Sequence, residues 1–136
     1  MLRDVKVLSE IRLSKSCIGT AESEAVMAVL QRGFLGMGSE VQKFEAELSE
    51  FFGRTAICTV NGTAALHLAL QASGITTNTE VLVQSLTYVA SFQAITATGA
   101  KAVACDVRPD TLGIDLVDAG QKITSQTEAI IPVHFA

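Results

Sequence analysis

From residue 56 onward the chain alternates short apolar runs with helical segments of about ten residues, and this rhythm limits the fold more than any other feature. Residues 56–60, 81–84, 102–105 and 129–133 read as strands. Residues 63–73, 88–98 and 116–123 read as helices, the first two closed by Gly74 and Gly99. Strands spaced by helices of this length form βαβ units, which predicts an α/β fold with a mostly parallel sheet and helices on both faces. The part before residue 55 has a different character. A lead-in over 1–19, with a short extended piece at 5–8, precedes a helix that starts at an N-cap Thr20 and ends at Gly33. A second helix follows the capping-box pattern Ser39-Glu40-Val41-Gln42, shows Val41, Phe44, Leu48 and Phe51 on one face, and ends at Gly53. The chain is thus divided into an N-terminal helical segment, 1–54, and an α/β domain, 55–136.

Composition agrees with a sheet buried on both sides. Hydrophobic residues are 49% of the 136, and with the ten glycines the apolar share is about 57%, against roughly 45–50% in ordinary domains. Net charge is −4, and the ten basic residues are scattered singly, so no basic stripe exists for nucleic acid. Cys17, Cys58 and Cys105 form no CxxC and have no histidine at metal spacing, so they read as buried thiols of a reducing compartment, with no metal site. No apolar run approaches the ~20 residues of a membrane span and the N-terminus has no signal-peptide core, which together predict a cytoplasmic protein without a membrane partner.

In a parallel sheet, ligands gather beyond the carboxyl ends of the strands. That rule selects Asn61-Gly62-Thr63, the stretch from Ser85 to Tyr88, Asp106 and His134. In the first, a β-branched run stops at Asn-Gly-Thr and a helix begins at once, aiming orphan backbone N–H groups at a potential anion. Gly62 permits close approach and Thr63 adds a hydroxyl donor; the alternative is an ordinary turn and helix start. Tyr88, the only tyrosine, reads either as a core aromatic or as a ring stacked on a planar cofactor. His67 shares a polar stripe with Thr63 and Gln71, read as solvated or interfacial. His134 reads equally as a satisfied loop residue or a site residue, and Asp106 as a turn residue. The glycine-rich 33–38 segment follows a helix rather than a strand and lacks the order of a nucleotide loop, so it reads as a connection that edges a site.

In ordered combination several segments resemble the DegT/DnrJ/StrS family of pyridoxal-phosphate-dependent nucleotide-sugar aminotransferases. They are residues 13–19 and 33–38, Phe44-Glu45, Val60-Asn61-Gly62-Thr63-Ala64-Ala65-Leu66-His67, Ser85-Leu86-Thr87-Tyr88-Val89-Ala90-Ser91, Asp110-Thr111-Leu112 and Ile130-Ile131-Pro132-Val133-His134. The resemblance covers residues 11–136. It implies the aspartate-aminotransferase type of fold (PLP fold type I), of which 55–136 would be an incomplete large domain, and homodimers with interfacial sites. It also implies pyridoxal 5'-phosphate as cofactor, and glutamate and a keto-sugar nucleotide as substrates in polysaccharide or antibiotic sugar biosynthesis. By the same resemblance Asn61, Gly62 and Thr63 belong to the phosphate site, Tyr88 stacks on the pyridine ring, and Ser91 and His134 lie nearby, while 34–36 lines the sugar side. Val60 and Gln84 depart from it, standing where serine and proline are frequent. The family's cofactor-bonding lysine and its pyridine-nitrogen aspartate match nothing here, since Lys6, Lys15, Lys43, Lys101 and Lys122 lie in other contexts. The reading is therefore an N-terminal, truncated part that is inactive alone. Two alternatives are a non-catalytic phosphate-binding or oligomerising remnant, and a relative that uses the cofactor for dehydration.

Overall fold

A computed structural model describes residues 14–134, so the expectations for 5–8 and Lys6 lie outside the described residues. These residues form two compact units with the break between Thr55 and Ala56.

The first unit carries α1 (Thr20–Arg32) and α2 (Ser39–Phe52). Both helices end at glycines in the left-handed region, Gly33 at φ 72° and Gly53 at φ 62°, as the sequence predicts. Their starts differ from expectation by one residue. Gly19, not Thr20, is the N-cap of α1, and its N–H is bonded by the Glu22 carboxylate at 2.7 Å. That bond holds the Glu22 carboxyl below its ordinary range. Gly38 caps α2 without a side-chain bond, so the expected Ser39 capping box does not form and Ser39 is already helical. A Cβ on Gly38 would lie 2.8 Å from the Phe34 ring, so any side chain there would have to displace that exposed ring. Neither helix contains a fully buried residue; on α2, Val41 and Leu48 are half-buried while Phe44 and Phe51 are exposed.

The second unit is the α/β domain. It contains α3 (Gly62–Ala72), β1 (Glu80–Gln84), α4 (Ala90–Ala97), β2 (Lys101–Cys105), α5 (Leu116–Lys122) and β3 (Thr127–Ile131). The three strands form one parallel sheet in the order β2-β1-β3. Strand alternation divides the core between two faces. Val81 and Val83 pack with Leu70, Ile75, Ala94, Ile95 and Ala100 from the side of α3 and α4. Leu82, between them, packs on the opposite side with Cys105 and Ala119 of α5. The expected parallel sheet with helices on both faces is what forms.

Three expectations need correction. Residues 56–60 belong to no strand of the described sheet, with Ile57 and Val60 exposed. β-Branched composition marks a segment fit for a ladder but does not name the ladder. The last strand ends at Ile131 instead of continuing to residue 133, because Pro132 has no N–H to give. Only Cys105 is a buried thiol: Cys17 lies exposed ahead of α1, and Cys58 is half-buried in the segment that is not a strand. Burial pushes the Cys105 thiol up, so it stays protonated.

At the amino ends of the strands Glu80 is buried, and its two carboxylate oxygens bond Lys101 Nζ at 2.6 Å and Thr124 Oγ1 at 2.7 Å. Lys101 thus sits at the sheet edge away from the strand carboxyl ends, as expected. Lys122, expected on the helix surface, is instead engaged. Its ammonium bonds Asp118 at 2.7 Å and the Ala104 carbonyl at 2.8 Å, which fastens α5 to β2.

Candidate functional site

The carboxyl ends of β1, β2 and β3 open onto loops 85–89, 106–115 and 132–134. Close to the first and last lies the start of α3. Asn61 is its N-cap, with Oδ1 accepting the Ala64 N–H at 2.9 Å and the Asn61 carbonyl accepting the Ala65 N–H at 3.1 Å. Thr59 Oγ1 donates to the same carbonyl at 2.9 Å, fixing the entry into the helix. The side-chain bond satisfies one of the orphan donors of the first turn, and the Ala65 bond is the first of the helix ladder. Among the described residues the N–H groups of Gly62 and Thr63 and the Thr63 hydroxyl meet no acceptor.

A cavity of about 670 Å³ adjoins this helix start. Gly62, Thr63, Ala65 and Leu66 line it from α3, Thr87, Tyr88, Ala90 and Ser91 from the β1–α4 segment, and Val133 from beyond β3. Gly62 has no positive φ, and a Cβ built there would meet no protein atom within 4 Å. Neither backbone conformation nor packing within the chain therefore demands glycine. What its lack of a side chain provides is open space over the α3 N-terminus, the shape an approaching phosphate uses. Tyr88 is 78% exposed, so its ring is no part of the core formed by the described residues and lies at the cavity wall. Ser91 is buried, and its hydroxyl shares a 2.8 Å hydrogen bond with Thr87. Among the described residues no charged side chain lines the cavity, so an anion there would be met by backbone dipoles and hydroxyls.

Of the six residues selected from sequence, four line one cavity: Gly62, Thr63, Tyr88 and Ser91. Asn61 contributes by capping the helix, and His134 is exposed and outside the lining. Asp106 is also outside. Its N–H bonds the Asp118 carboxylate and its carbonyl accepts from Asp115, in line with a turn role. The polar stripe on α3 is only partly solvated: Gln71 is exposed, but His67 is half-buried and its Nε2 is enclosed, with no partner among the described residues. The 34–36 segment edges a separate cavity of about 400 Å³ in the first unit, beside an Arg32–Glu40 ion pair of 2.7 Å.

Thr87 falls within the selected stretch from Ser85 to Tyr88, whereas sequence reasoning gave no site role to Val133 or to the buried Gln84. The last carried a readable signal: an amide at the end of Val81-Leu82-Val83, a strand buried on both faces, must find hydrogen-bond partners.

Residues 16–136 match the model of the DegT/DnrJ/EryC1/StrS aminotransferase family. The chain belongs to this family. It is 41% identical over 119 residues to the spore coat polysaccharide biosynthesis protein SpsC of Bacillus subtilis, covering 87% of this chain and 31% of that protein. It is 34% identical over 128 residues to the dTDP-4-dehydro-2,3,6-trideoxy-D-glucose 4-aminotransferase of Saccharopolyspora spinosa, covering 92% of this chain and 33% of that one. Among solved structures, the sugar aminotransferase CalS13 of Micromonospora echinospora superimposes with a TM-score of 0.77 at 38% identity, over 92% of this chain and 34% of the other. The chain therefore spans about a third of the length of the relatives it matches. The fold is that of part of a PLP fold-type I domain.

Proposed function

We propose that this chain supplies the phosphate- and ring-holding wall of a pyridoxal-phosphate-dependent aminotransferase that acts on keto-sugar nucleotides. One observation carries the reading: an α3 N-terminus with two uncommitted N–H groups and an open glycine faces the same cavity as the free Tyr88 ring. Pyridoxal phosphate, when bound, supplies the electron sink for bond breaking at the substrate carbon. The chain's own residues would do the holding. Gly62 and Thr63 would bind the phosphate oxygens through N–H and hydroxyl donors, and Tyr88 would orient the ring by stacking. The Thr87–Ser91 hydroxyl pair stands ready at the same wall. The sugar-nucleotide substrate class rests on the family and on the relatives' activities.

By itself the chain reads as a binding module. Neither Lys101 nor Lys122 lines the cavity, and each is already engaged, by Glu80 and by Asp118. With one tyrosine and no tryptophan, protein emission reports Tyr88 alone. Titration with pyridoxal phosphate should quench that emission saturably, and inorganic phosphate should compete. Quenching that is linear in added cofactor and indifferent to phosphate would refute the site.

A further inference from the structure

We infer that Gln84 is a positioning residue, a single buried carboxamide that locks together the loops leaving all three strands and so sets the ring side of the cavity. The inference takes from the proposed function only what the cavity holds; the lock itself stands on geometry.

Gln84 closes β1, the central strand, and is 0% exposed. A carboxamide offers two donors and an acceptor, and here each has a different loop to serve. Nε2 donates to the Leu86 carbonyl at 2.8 Å, in the loop after β1. It donates also to the Leu112 carbonyl at 2.9 Å, in the loop after β2. Oε1 accepts the Val133 N–H at 3.4 Å, just past β3. The orientation of the amide is fixed by chemistry: only its NH2 end can meet two carbonyl oxygens, and only its oxygen can meet an N–H.

What the lock holds is not relaxed backbone. Leu112 sits at φ 55°, a left-handed conformation that disfavours a residue with a branched side chain. It is clasped from both sides, its N–H on the Arg108 carbonyl at 2.8 Å and its own carbonyl on Gln84. Two of the three locked loops supply cavity wall, Thr87 and Tyr88 from one and Val133 from the other. The remaining wall, Gly62 and Thr63 at the start of α3, receives no bond from Gln84. The consequence is selective. Loss of the carboxamide should loosen the grip on a ring and spare the grip on a phosphate.

Two measurements on the full chain test this. In the unaltered protein, nitrogen-edited NMR should show the Gln84 carboxamide protons exchanging with solvent about a hundredfold or more slower than those of the exposed Gln93 and Gln121. Equal rates overturn the lock, and this reading stands whether or not any variant folds or any ligand binds. Gln84→Met, which keeps volume and removes the polar bonds, should weaken pyridoxal phosphate binding about tenfold. Its affinity for inorganic phosphate should stay within about twofold of the unaltered protein's. An equal loss for both probes, or no loss for either, overturns the positioning role. If the unaltered protein binds neither probe, the cofactor reading fails, while the carboxamide exchange still decides the lock.

Discussion

Single residues here show how much depends on whether a polar group has a partner. Thr63 contributes a hydroxyl to the cavity with no protein acceptor competing for it. Thr63→Val nearly keeps its shape and removes that donor, so affinity for pyridoxal phosphate should fall by about ten- to a hundredfold, given ~1.5–3 kcal/mol for a hydrogen bond to a charged group. Equal affinities by titration would remove Thr63 from the site. Glu80 is the opposite case, a buried carboxylate whose partners are already in place. Bonds from Lys101, then from Thr124, hold its carboxyl below the ordinary value of 4.5. A carboxyl depressed on folding stabilises the protein above its unfolded-state pKa, and that contribution fades as pH falls through the folded-state value. Glu80→Gln should therefore lower the melting temperature near neutral pH, and the gap to the unaltered protein should close as pH drops below about 4.5. A gap that is constant across this range would show that Glu80 acts by packing rather than by charge. Salt should narrow the gap at neutral pH, since Lys101 is largely exposed.

At the scale of elements, most of the fold was legible because its signals are local. The α3, β1, α4, β2, α5 and β3 segments all lie within two residues of where apolar periodicity and glycine punctuation put them. What failed was partnership. Residues 56–60 have strand composition without strand structure, and Ser39 carries a capping-box pattern that Gly38 pre-empts. A window of sequence shows propensity; which ladder or cap closes depends on chain brought in from elsewhere. The site was legible in the same measure. The Asn-Gly-Thr helix start and Tyr88 are local signals, whereas Gln84 acts through Leu112, 28 residues away, and Val133, 49 residues away. Two glycines test the local reading directly. Gly99, between α4 and β2, has φ 86°, and a Cβ there would lie 2.6 Å from Thr77 Cγ2. Gly120, inside α5, has an ordinary φ and open space around a Cβ. Gly99→Ala should destabilise by more than ~1 kcal/mol, while Gly120→Ala should stabilise by ~0.5–1 kcal/mol through higher helix propensity. Denaturant midpoints moving in the same direction for both would contradict this account.

At the scale of the whole molecule, many large apolar side chains lie exposed. Phe51 is 81% exposed and Val60 89%, with Ile57, Leu116 and Val117 also above two thirds, and β2 and β3 are the two edges of the described sheet. Such surfaces and edges favour association, so the chain should sediment as an oligomer, and a monodisperse monomer at high concentration would count against this. The placement of the lysines leads to the last prediction. Amino transfer needs an amine that can bond to the cofactor and then move a proton at the substrate carbon. Lys101 lies at the strand amino ends, paired with Glu80, while the cavity lies at the carboxyl ends. Lys122 spends its donors on Asp118 and Ala104, and the Asp118 carboxylate holds its ammonium above the ordinary lysine range, which suppresses the neutral amine that would attack. Lys43, in the first unit, lies beside Glu47 at 3.7 Å. Borohydride treatment of the 136-residue chain with pyridoxal phosphate should therefore leave only scattered, substoichiometric adducts, and no amino group should pass from glutamate to an acceptor. Peptide mapping decides it. A single stoichiometric adduct on one lysine, accompanied by amino transfer, would mean that a lysine of this chain reaches the cavity by a movement the structure does not contain.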